Sequence, residues 1–270
     1  MLGKRIGQGR TADVWEYGEG RIVKLYYEET PVQGIDWEYA AGRYAFEGGV
    51  RTPKPAERLT LDGREGIVFD RVHAPTLLKR IGEQPLRIKA FAGQLAGLQF
   101  SLNQLECGND IPDLKEHLRW RISAAPMLTT GEKSDVLAAL ERLPAGNRLL
   151  HGDFHPDNVL ADEPPWIIDW MNAARGTPAA DAARTLLLLE MGAMPPGTPL
   201  PVKVVTGIVR KRLATQYLRA YLRLSGLSSS DIGAWIVPVA AARLYEGIPL
   251  AEKENLAREV RRRLGKRQHN

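Results

Sequence analysis

The sequence has a single cysteine and no long apolar stretch, and both absences limit what the chain can be. Cys107 stands alone among 270 residues, which excludes an internal disulfide and a metal site built from cysteines. We therefore expect a reducing, cytoplasmic setting. No apolar run reaches the roughly 18 residues that a membrane-spanning helix needs, so we expect no membrane partner. A charged start leads at once into a glycine-rich segment, so we expect no signal peptide.

The chain is basic, with a formal net charge of +5 and an isoelectric point near 9.3. Much of the excess lies late in the chain, at Arg210, Lys211, Arg212, Arg258, Arg261, Arg262, Arg263, Lys266 and Arg267. One interpretation is contact with nucleic acid or a membrane surface. We favour solvated helix faces, because helical spacing disperses these residues, and we expect no stable nucleic-acid partner.

The chain divides into two parts of different pattern. Residues 1–72 read as strands with one helix and glycine- or proline-containing turns, whereas residues 73–270 are mainly helical. This predicts an α+β fold with two domains. Helices are predicted over 88–105, 116–123, 133–143, 179–191, 202–224, 231–245 and 250–264, with a proline-rich break at 195–199.

Residues 151–158, with the sequence HGDFHPDN, concentrate hard oxygen donors in a short loop. Asp153 can accept a hydroxyl proton, Asn158 follows five residues later, and Asp169 ends an apolar run. Magnesium prefers oxygen ligands. Phosphoryl transfer needs one group that accepts the proton of the hydroxyl and other groups that hold the metal. Residues 159–161 and 166–168 are predicted to form a hairpin, which would bring Asn158 and Asp169 near each other from opposite ends. The alternative is an ordinary surface hairpin with Asp and Asn as turn residues.

A glycine-rich segment near the start gives a second, weaker indication. Gly7 and Gly9 match the first positions of the pattern GxGxxGxV, with Ala12 at the third glycine position and Val14 at its end. Glycines let backbone N–H groups approach phosphates closely. An ordinary β-turn is the alternative. A dinucleotide-binding loop is excluded, because no helix follows this one.

Lys24 and Glu38 follow the glycine-rich segment. Lys24 lies on the second strand of a predicted hairpin between apolar neighbours, and Glu38 lies in a segment, 37–44, that is predicted to be helical. The two side chains are candidates for an ion pair that aims the lysine at phosphates. A solvated strand lysine and a surface glutamate are the alternatives.

Together these motifs resemble the aminoglycoside phosphotransferase/choline-kinase-like branch of the protein-kinase superfamily. The resemblance rests on HGD in place of the HRD of protein kinases, on HPDN, and on the Ile-Asp-Trp at 168–170. Residues 176–181 also match a family segment, so the likeness runs from Gly7 to about Asp181. It implies a protein-kinase-like two-lobed fold, with an N-terminal antiparallel sheet, one helix and a helical C-terminal lobe.

The resemblance also implies residue roles in the catalytic motif. Asp153 would be the catalytic base, while Asn158 and Asp169 would be the magnesium ligands. Asp181 would brace the catalytic loop, and His151 would be a structural hydrogen-bonding residue. The cofactors implied are ATP and Mg²⁺, and the reaction is transfer of the γ-phosphoryl group to a hydroxyl of a small molecule.

In the N-terminal lobe, the resemblance implies that Lys24 contacts the α- and β-phosphates and that Glu38 is its partner. Gly7 and Gly9 would cover the phosphates. The adenine would pair with the backbone C=O of Asp70 and N–H of Val72.

Two departures bear on the acceptor. Trp170-Met171 replaces Phe-Gly after the metal-binding aspartate, and no long activation loop precedes Asp181, which disfavours a protein substrate. The basic C-terminal part puts a polycationic aminoglycoside in doubt. Asp157, Glu190 and Glu246 are the acidic candidates for such a ligand, and surface placement is favoured for each.

The sequence leaves several alternatives open. The acceptor is an aminoglycoside, choline, a sugar, homoserine, a macrolide or another alcohol, and the oligomeric state is open. A nucleotide-binding pseudokinase and a nucleic-acid-associated protein are the competing functions, although the complete set of motif residues disfavours the first. Tyr217, Tyr221, Trp235 and Tyr245 recur at helical spacing, and core packing is favoured over an aromatic cage for a cation.

Overall fold

Strands rich in Val, Ile, Trp and Tyr form an antiparallel sheet in the N-terminal part of the chain. A computed structural model describes residues 2–192 and 197–267, the last two without their side chains. The strands are β1 (Leu2–Gln8), β2 (Ala12–Tyr17), β3 (Arg21–Tyr26), β4 (Pro55–Leu61) and β5 (Arg64–Asp70), in the order β1-β2-β3-β5-β4. The predicted hairpin that carries Lys24 is β2–β3 and is confirmed.

Helix α1 (Val32–Glu47) packs on one face of this sheet, and it contains the helix that was predicted over 37–44. Ile35 of α1 is buried with Tyr26 and Ile67 of the sheet, and Met171 packs against the same cluster. The opposite face buries Val23, Leu25 and Val68. Because successive side chains along a strand point to opposite faces of the sheet, one strand contributes residues to both clusters.

Two short strand pairs lie on either side of Asp153 and Asp169 in sequence. Strands β6 (Arg148–Leu150) and β9 (Ala174–Gly176) pair, and so do β7 (Val159–Leu160) and β8 (Trp166–Ile167), both antiparallel. The hairpin predicted over 159–161 and 166–168 is thereby confirmed.

The remaining elements are helical, as the sequence predicts. They are α2 (Leu77–Glu83), α3 (Ile88–Leu102), α4 (Leu114–Ala124), α5 (Thr130–Glu141), α6 (Pro178–Met191), α7 (Leu200–Ser225), α8 (Ser229–Arg243) and α9 (Leu250–Arg267). Helix α2 was not predicted. The ends of the other helices differ from the predicted ends by a few residues, because caps and not hydrophobic spacing set a helix terminus. Capping boxes at Thr129 and Ser228 start α5 and α8, and Gly226, in the left-handed region, ends α7. The break predicted at 195–199 lies partly outside the described residues.

By packing, the chain divides into two units. One comprises the residues up to Arg80 with Pro156–Ala173, and the other comprises Ile81–His155 with the residues from Ala174 onward. The functional lobes predicted from the sequence, 1–72 and 73–270, stay a prediction. The α+β class is confirmed, with the sheet in the first unit and mainly helices in the second. No helix in the described part of the chain combines the length and apolar character needed to span a bilayer.

The C-terminal unit contains a buried polar network between α3 and α7. The Tyr221 hydroxyl donates to Asn103 Oδ1 at 2.8 Å, and the Asn103 amide donates to Leu149 O at 2.9 Å and to Asp181 Oδ2 at 3.2 Å. Tyr217 donates in the same way to Gln99. Buried polar groups persist only where such partners exist.

The predicted core position of the four aromatic residues is correct for Tyr217, Tyr221 and Trp235, which are buried. It is wrong for Tyr245, which is 44% exposed and lies with its ring edge-on to Trp120, 4.6 Å between centroids. The reason is that α8 ends at Arg243, so that the helical spacing no longer applies at residue 245.

Removing the Tyr221 hydroxyl tests the network. We expect Tyr221→Phe to lower the free energy of unfolding by about 1–3 kcal/mol, because a buried acceptor loses its donor. The exposed Tyr245→Phe is the matched control and should change stability by no more than about 0.5 kcal/mol. Urea denaturation measures both, and equal effects would contradict a structural role for the buried hydroxyl.

Candidate active site

Lys24 is held between two carboxylates within the N-terminal unit. Its Nζ lies 2.7 Å from Glu38 Oε1 of α1 and 2.8 Å from Asp169 Oδ1, which follows β8. The side chain stands on the central strand β3, opposite Val14 on one neighbour and Ile67 on the other. The expected ion pair with Glu38 is therefore present, and the nucleotide role of both residues stays a prediction.

The environment of Lys24 keeps it positively charged. Burial alone would lower the pKa of Lys24, but the carboxylates of Asp169 and Glu38 outweigh burial and raise the pKa above its ordinary value. Glu38 is buried and accepts a second hydrogen bond from the Tyr26 hydroxyl at 2.7 Å. Two carboxylates thus share one ammonium group, so the trio carries an excess of negative charge.

Asp169 adopts a backbone conformation that most residues avoid. Its φ is 70°, in the left-handed region that Asp and Asn tolerate better than other non-glycine residues. The next residue is anchored, because the buried Trp170 indole donates to Thr52 Oγ1 at 3.0 Å. The anchored Trp170 therefore fixes the backbone next to Asp169, while the Asp169 side chain stays partly accessible to solvent.

Asn158 reaches the same end of the β7–β8 hairpin as Asp169. It closes a short 3₁₀ turn, Pro156–Asn158, and its backbone oxygen accepts from Ile168 N at 3.0 Å. One amide and one carboxylate fit a magnesium ion that takes its other ligands from phosphates and water. The described residues contain no cluster of three or more His, Cys, Asp or Glu suited to hold a metal without such help.

The glycine-rich turn connects β1 and β2. Gly7 pairs with Val14, and Gly9 N donates to Ala12 O at 2.8 Å. Neither glycine has positive φ, and a Cβ added to Gly7 or to Gly9 would meet its nearest atom at 3.4 Å, an ordinary contact. The fold itself does not require glycine at these two positions.

Asp70 and Val72 lie on either side of an anchored residue at the end of β5. Arg71 N donates to Gly20 O at 2.9 Å, and its side chain donates to Glu16 Oε1 at 2.6 Å. The proposed contact of these two backbones with adenine stays a prediction.

In the C-terminal unit, Asp181 holds the turn before Asp153. Its carboxylate accepts from Gly152 N at 2.9 Å and from His151 N at 3.2 Å. His151 is buried, and its Nδ1 accepts from Asp153 N at 3.3 Å. Gly152 has a φ of 72°, which explains a glycine between His151 and Asp153. The bracing contact expected of Asp181 is present in this geometry.

Asp153 is buried beside positive groups. Its Oδ1 lies 3.5 Å from Arg184 Nη2, and its Oδ2 lies 3.7 Å from His155 Nε2. Burial alone would raise the pKa of Asp153, but its contact with His155 and the positive charge of Arg184 outweigh burial. They hold the pKa far below its usual range. Asp153 is therefore a carboxylate at neutral pH.

Arg184 was missed in the sequence. It is buried in α6 and also donates through Nε to Gly152 O. The sequence does contain a signal for its role, because Arg184 is the one charged residue between Asp181 and Glu190 in a mostly apolar helix. A charge in such a helix predicts a buried partner.

The three acidic candidates for an acceptor site differ in their exposure to solvent. Asp157 and Glu190 are exposed, as predicted. For Glu246 the prediction is wrong, because its side chain is only 13% exposed and lies 2.7 Å from Arg184 Nη1. The guanidinium groups around Glu246 make its burial possible.

Several of the basic residues in α9 are paired within the chain. Arg261 contacts Glu132 at 2.7 Å, and Arg262 and Arg263 contact Glu259 at 2.6 Å and 2.5 Å. These pairs are typical of a solvated helix face, which is the interpretation favoured from the sequence.

The chain is similar to known phosphotransferases. A family model described as phosphotransferase enzyme family matches residues 3–230. An aminoglycoside-3'-phosphotransferase of type VIII shares 22% identity with a TM-score of 0.59, over 90% of this chain and 92% of its own. A choline/ethanolamine kinase family protein from Mesorhizobium loti shares 16% identity with a TM-score of 0.58, over 97% and 87%.

A third structure, aminoglycoside phosphotransferase APH(3'')-Id from Streptomyces rimosus in complex with ADP and streptomycin, shares 14% identity with a TM-score of 0.55, over 91% and 90%. No curated protein matches the sequence significantly. Identities this low show the shared fold, and the predicted protein-kinase-like fold is confirmed.

The charge state of Asp153 predicts a pH dependence of stability. Between about pH 5 and pH 3, the unfolded chain takes up a proton on Asp153 and the folded protein does not. The unfolded state then binds more protons, so stability falls as the pH falls. We expect the free energy of unfolding to fall more steeply for the unaltered chain than for Asp153→Asn.

Urea denaturation across this pH range measures the two slopes. Their difference should persist at high salt, because the Asp153–Arg184 pair is buried and little screened. Parallel slopes would show that Asp153 is not held ionised by its neighbours.

Proposed function

The chain belongs to the phosphotransferase enzyme family, and from this premise we propose that it transfers the γ-phosphoryl group of ATP to a hydroxyl of a small molecule. The observation that carries the proposal is the pairing of Lys24 with Glu38 and Asp169 at 2.7 Å and 2.8 Å. Phosphoryl transfer depends on positioning and charge stabilisation, and this trio supplies both.

The glycine-rich turn supports nucleotide binding. Since the fold does not need Gly7 or Gly9, their lack of side chains leaves room for close approach of a ligand to the backbone. Lys24 would contact the phosphates, while Asp70 and Val72 would contact adenine through their backbones. The Streptomyces rimosus relative is known in complex with ADP, which supports the same ligand class here.

Asn158 and Asp169 would hold magnesium. The excess negative charge around Lys24 favours a cation at Asp169, and the amide of Asn158 is a hard oxygen donor. Bound magnesium neutralises the phosphate oxygens and helps to keep them in line. The residues themselves contribute a fixed geometry, because Trp170 and the β7–β8 hairpin anchor the backbone on both sides.

Asp153 would orient the acceptor hydroxyl and take its proton as the new O–P bond forms and the bond between the γ-phosphorus and its bridging oxygen breaks, with ADP as the leaving group. Its low pKa makes it a weak base in the ground state, so its main contribution is orientation. Asp181 and His151 hold the Asp153 backbone, and Arg184 and His155 hold its carboxylate. A fixed carboxylate suits a reaction in which alignment dominates.

A nucleotide-binding pseudokinase is the competing proposal. It would bind nucleotide without turnover, and the presence of all four motif residues, Lys24, Asp153, Asn158 and Asp169, disfavours it. The test is a phosphotransfer assay with Mg-ATP and a broad panel of hydroxyl compounds, read as ADP release and as the mass gain of one phosphoryl group on an acceptor. Nucleotide binding with no acceptor phosphorylated would favour the pseudokinase. A cytoplasmic location remains part of the proposal.

Asparagine substitutions distinguish the proposed roles of Asp153 and Asp169. Asp153→Asn should leave the Kd for Mg-ATP nearly unchanged and lower kcat by about 10²–10⁴, because it removes the carboxylate that orients the hydroxyl and accepts its proton but none of the proposed nucleotide ligands. Asp169→Asn should raise that Kd roughly tenfold or more, as expected for one charge-assisted contact. Asparagine is chosen at residue 169 because it tolerates the left-handed backbone.

Isothermal titration calorimetry and steady-state kinetics give the two readouts. The assignment of roles is wrong if Asp153→Asn abolishes nucleotide binding or retains full turnover.

The glycine-rich turn yields a separate prediction. Gly9→Ala should change the free energy of unfolding by no more than about 1 kcal/mol, because its Cβ fits the fold, yet it should weaken ATP binding. Gly152→Ala is the contrasting control and should lose about 1–2 kcal/mol of stability, because its φ is positive. Unaltered ATP affinity in Gly9→Ala would show that this turn does not contact the nucleotide.

A further inference from the structure

Three arginines from three helices converge on a single carboxylate in the C-terminal unit. Glu246 Oε1 lies 2.7 Å from Arg184 Nη1 of α6 and 3.6 Å from Arg121 Nη1 of α4. Glu246 Oε2 lies 3.2 Å from Arg243 Nη1 of α8. One negative charge is therefore shared among three positive charges.

Two of these arginines have a further carboxylate partner, and within the described part of the chain the third has none. Arg184 also lies against Asp153, and Arg243 is also paired with Glu252. Among the described residues, the 3.6 Å contact with Glu246 is the only ion pair of Arg121. Its charge is the least compensated of the three.

The surroundings of Arg121 act on its pKa in both directions. Burial and the charges of Arg184 and Arg243 lower the pKa of Arg121, while Glu246 opposes them. His117, one turn earlier on α4, also has a lowered pKa, because of burial and because Arg121 is near. The Arg121 side chain is 27% exposed, so a solute can reach it.

One ion pair, between Arg184 and Glu246, separates Arg121 from the Asp153 carboxylate that would orient the acceptor. Arg184 touches Asp153 through Nη2 and Glu246 through Nη1, and Arg121 approaches that same Glu246 oxygen. Asp153, Arg184, Glu246 and Arg121 thus form a continuous chain of alternating charges that ends at Arg121, the arginine with the weakest compensation.

Two exposed aromatic residues flank this end of the chain of charges in sequence. Trp120 and Tyr245 neighbour Arg121 and Glu246 in sequence, and their rings meet at 4.6 Å between centroids. The rings supply an apolar surface next to the cation, suited to the carbon skeleton of a small molecule.

This arrangement opposes a polycationic acceptor. Glu246 is the nearest carboxylate to Asp153 in this chain of contacts, and it is already bound by arginines. An ammonium group would have to displace a buried guanidinium, which leaves an uncompensated charge. An oxyanion instead completes the coordination of Arg121.

Resting on the proposed function, we propose that the acceptor is a hydroxyl compound that carries an oxyanion group, a carboxylate or a phosphate ester, and that Arg121 binds this group. Arg121 then determines specificity, while Asp153 orients the hydroxyl. Aminoglycosides and choline are excluded as preferred acceptors by the same charge arrangement.

The first arm of the test measures turnover. ADP release is followed with Mg-ATP and four sets of hydroxyl compounds: hydroxy acids, sugar phosphates, neutral sugars, and the cations kanamycin and choline. Turnover should be confined to the two acidic sets, and the set with the lower KM distinguishes a carboxylate from a phosphate ester. Preferred turnover of a cationic acceptor overturns the inference.

Variants of Arg121 extend this arm. Arg121→Gln should raise the KM for the acidic acceptor about tenfold to a hundredfold and leave the KM for ATP unchanged. Arg121→Lys should recover part of the loss, because it restores the charge. The matched control is Arg119→Gln, which removes an equal charge from the same helix, where Arg119 is 46% exposed and pairs with Glu141. Equal effects at both positions overturn the inference.

The second arm does not depend on turnover or on a variant that folds. Phenylglyoxal labels arginines, and peptide mass spectrometry gives separate rates for Arg121 and Arg119 in the unaltered chain. Sodium sulfate, used as the probe oxyanion, should slow the labelling of Arg121 several-fold relative to sodium chloride at equal ionic strength. The rate for Arg119 should not change.

The two arms separate failure of this inference from failure of the proposed function. Absence of any turnover counts against the phosphotransferase proposal, and the labelling of Arg121 then decides whether the oxyanion site exists. Labelling rates that sulfate leaves unchanged overturn the inference, whatever the turnover.

Discussion

The N-terminal unit depends on one buried cation and its two anionic partners. Lys24 joins a residue 14 positions away in α1 and another 145 positions away after β8, so a single side chain ties sheet, helix and hairpin together. An isolated lysine at this depth would lose its charge. Glu38 and Asp169 prevent that loss, and the surplus of negative charge they bring makes the same place attractive to a second cation.

The C-terminal unit presents the opposite balance around its own aspartate. Asp153 is buried among Arg184, His155 and His151, so its carboxylate is stabilised without a metal. Two aspartates of similar chemistry therefore have surroundings that differ in the sign of their charge. Under the proposed function, Asp169 would bind a cation and Asp153 would orient an alcohol. The positive surplus beyond Asp153 extends through Glu246 to Arg121 and bears on the choice of acceptor.

Much of this could be predicted because the relevant information is local. The hairpins, α1 and the later helices follow from residue patterns within each segment, and the motif residues follow from spacing within short loops. Tyr245 and Glu246 were misjudged for a related reason: they lie just past the end of α8, where helical spacing stops applying and packing decides exposure. Arg184 was overlooked because its partners come from elsewhere in the chain.

The sequence by itself determined the class of fold, the order of elements and which side chains carry reactive groups, since these depend on neighbours along the chain. Only the tertiary structure decided which charges meet. The contact of Lys24 with Asp169 and the convergence of three arginines on Glu246 join segments far apart in sequence. A buried charge is stabilised by whichever opposite charge the fold brings within a few ångströms, and residue spacing does not encode that distance.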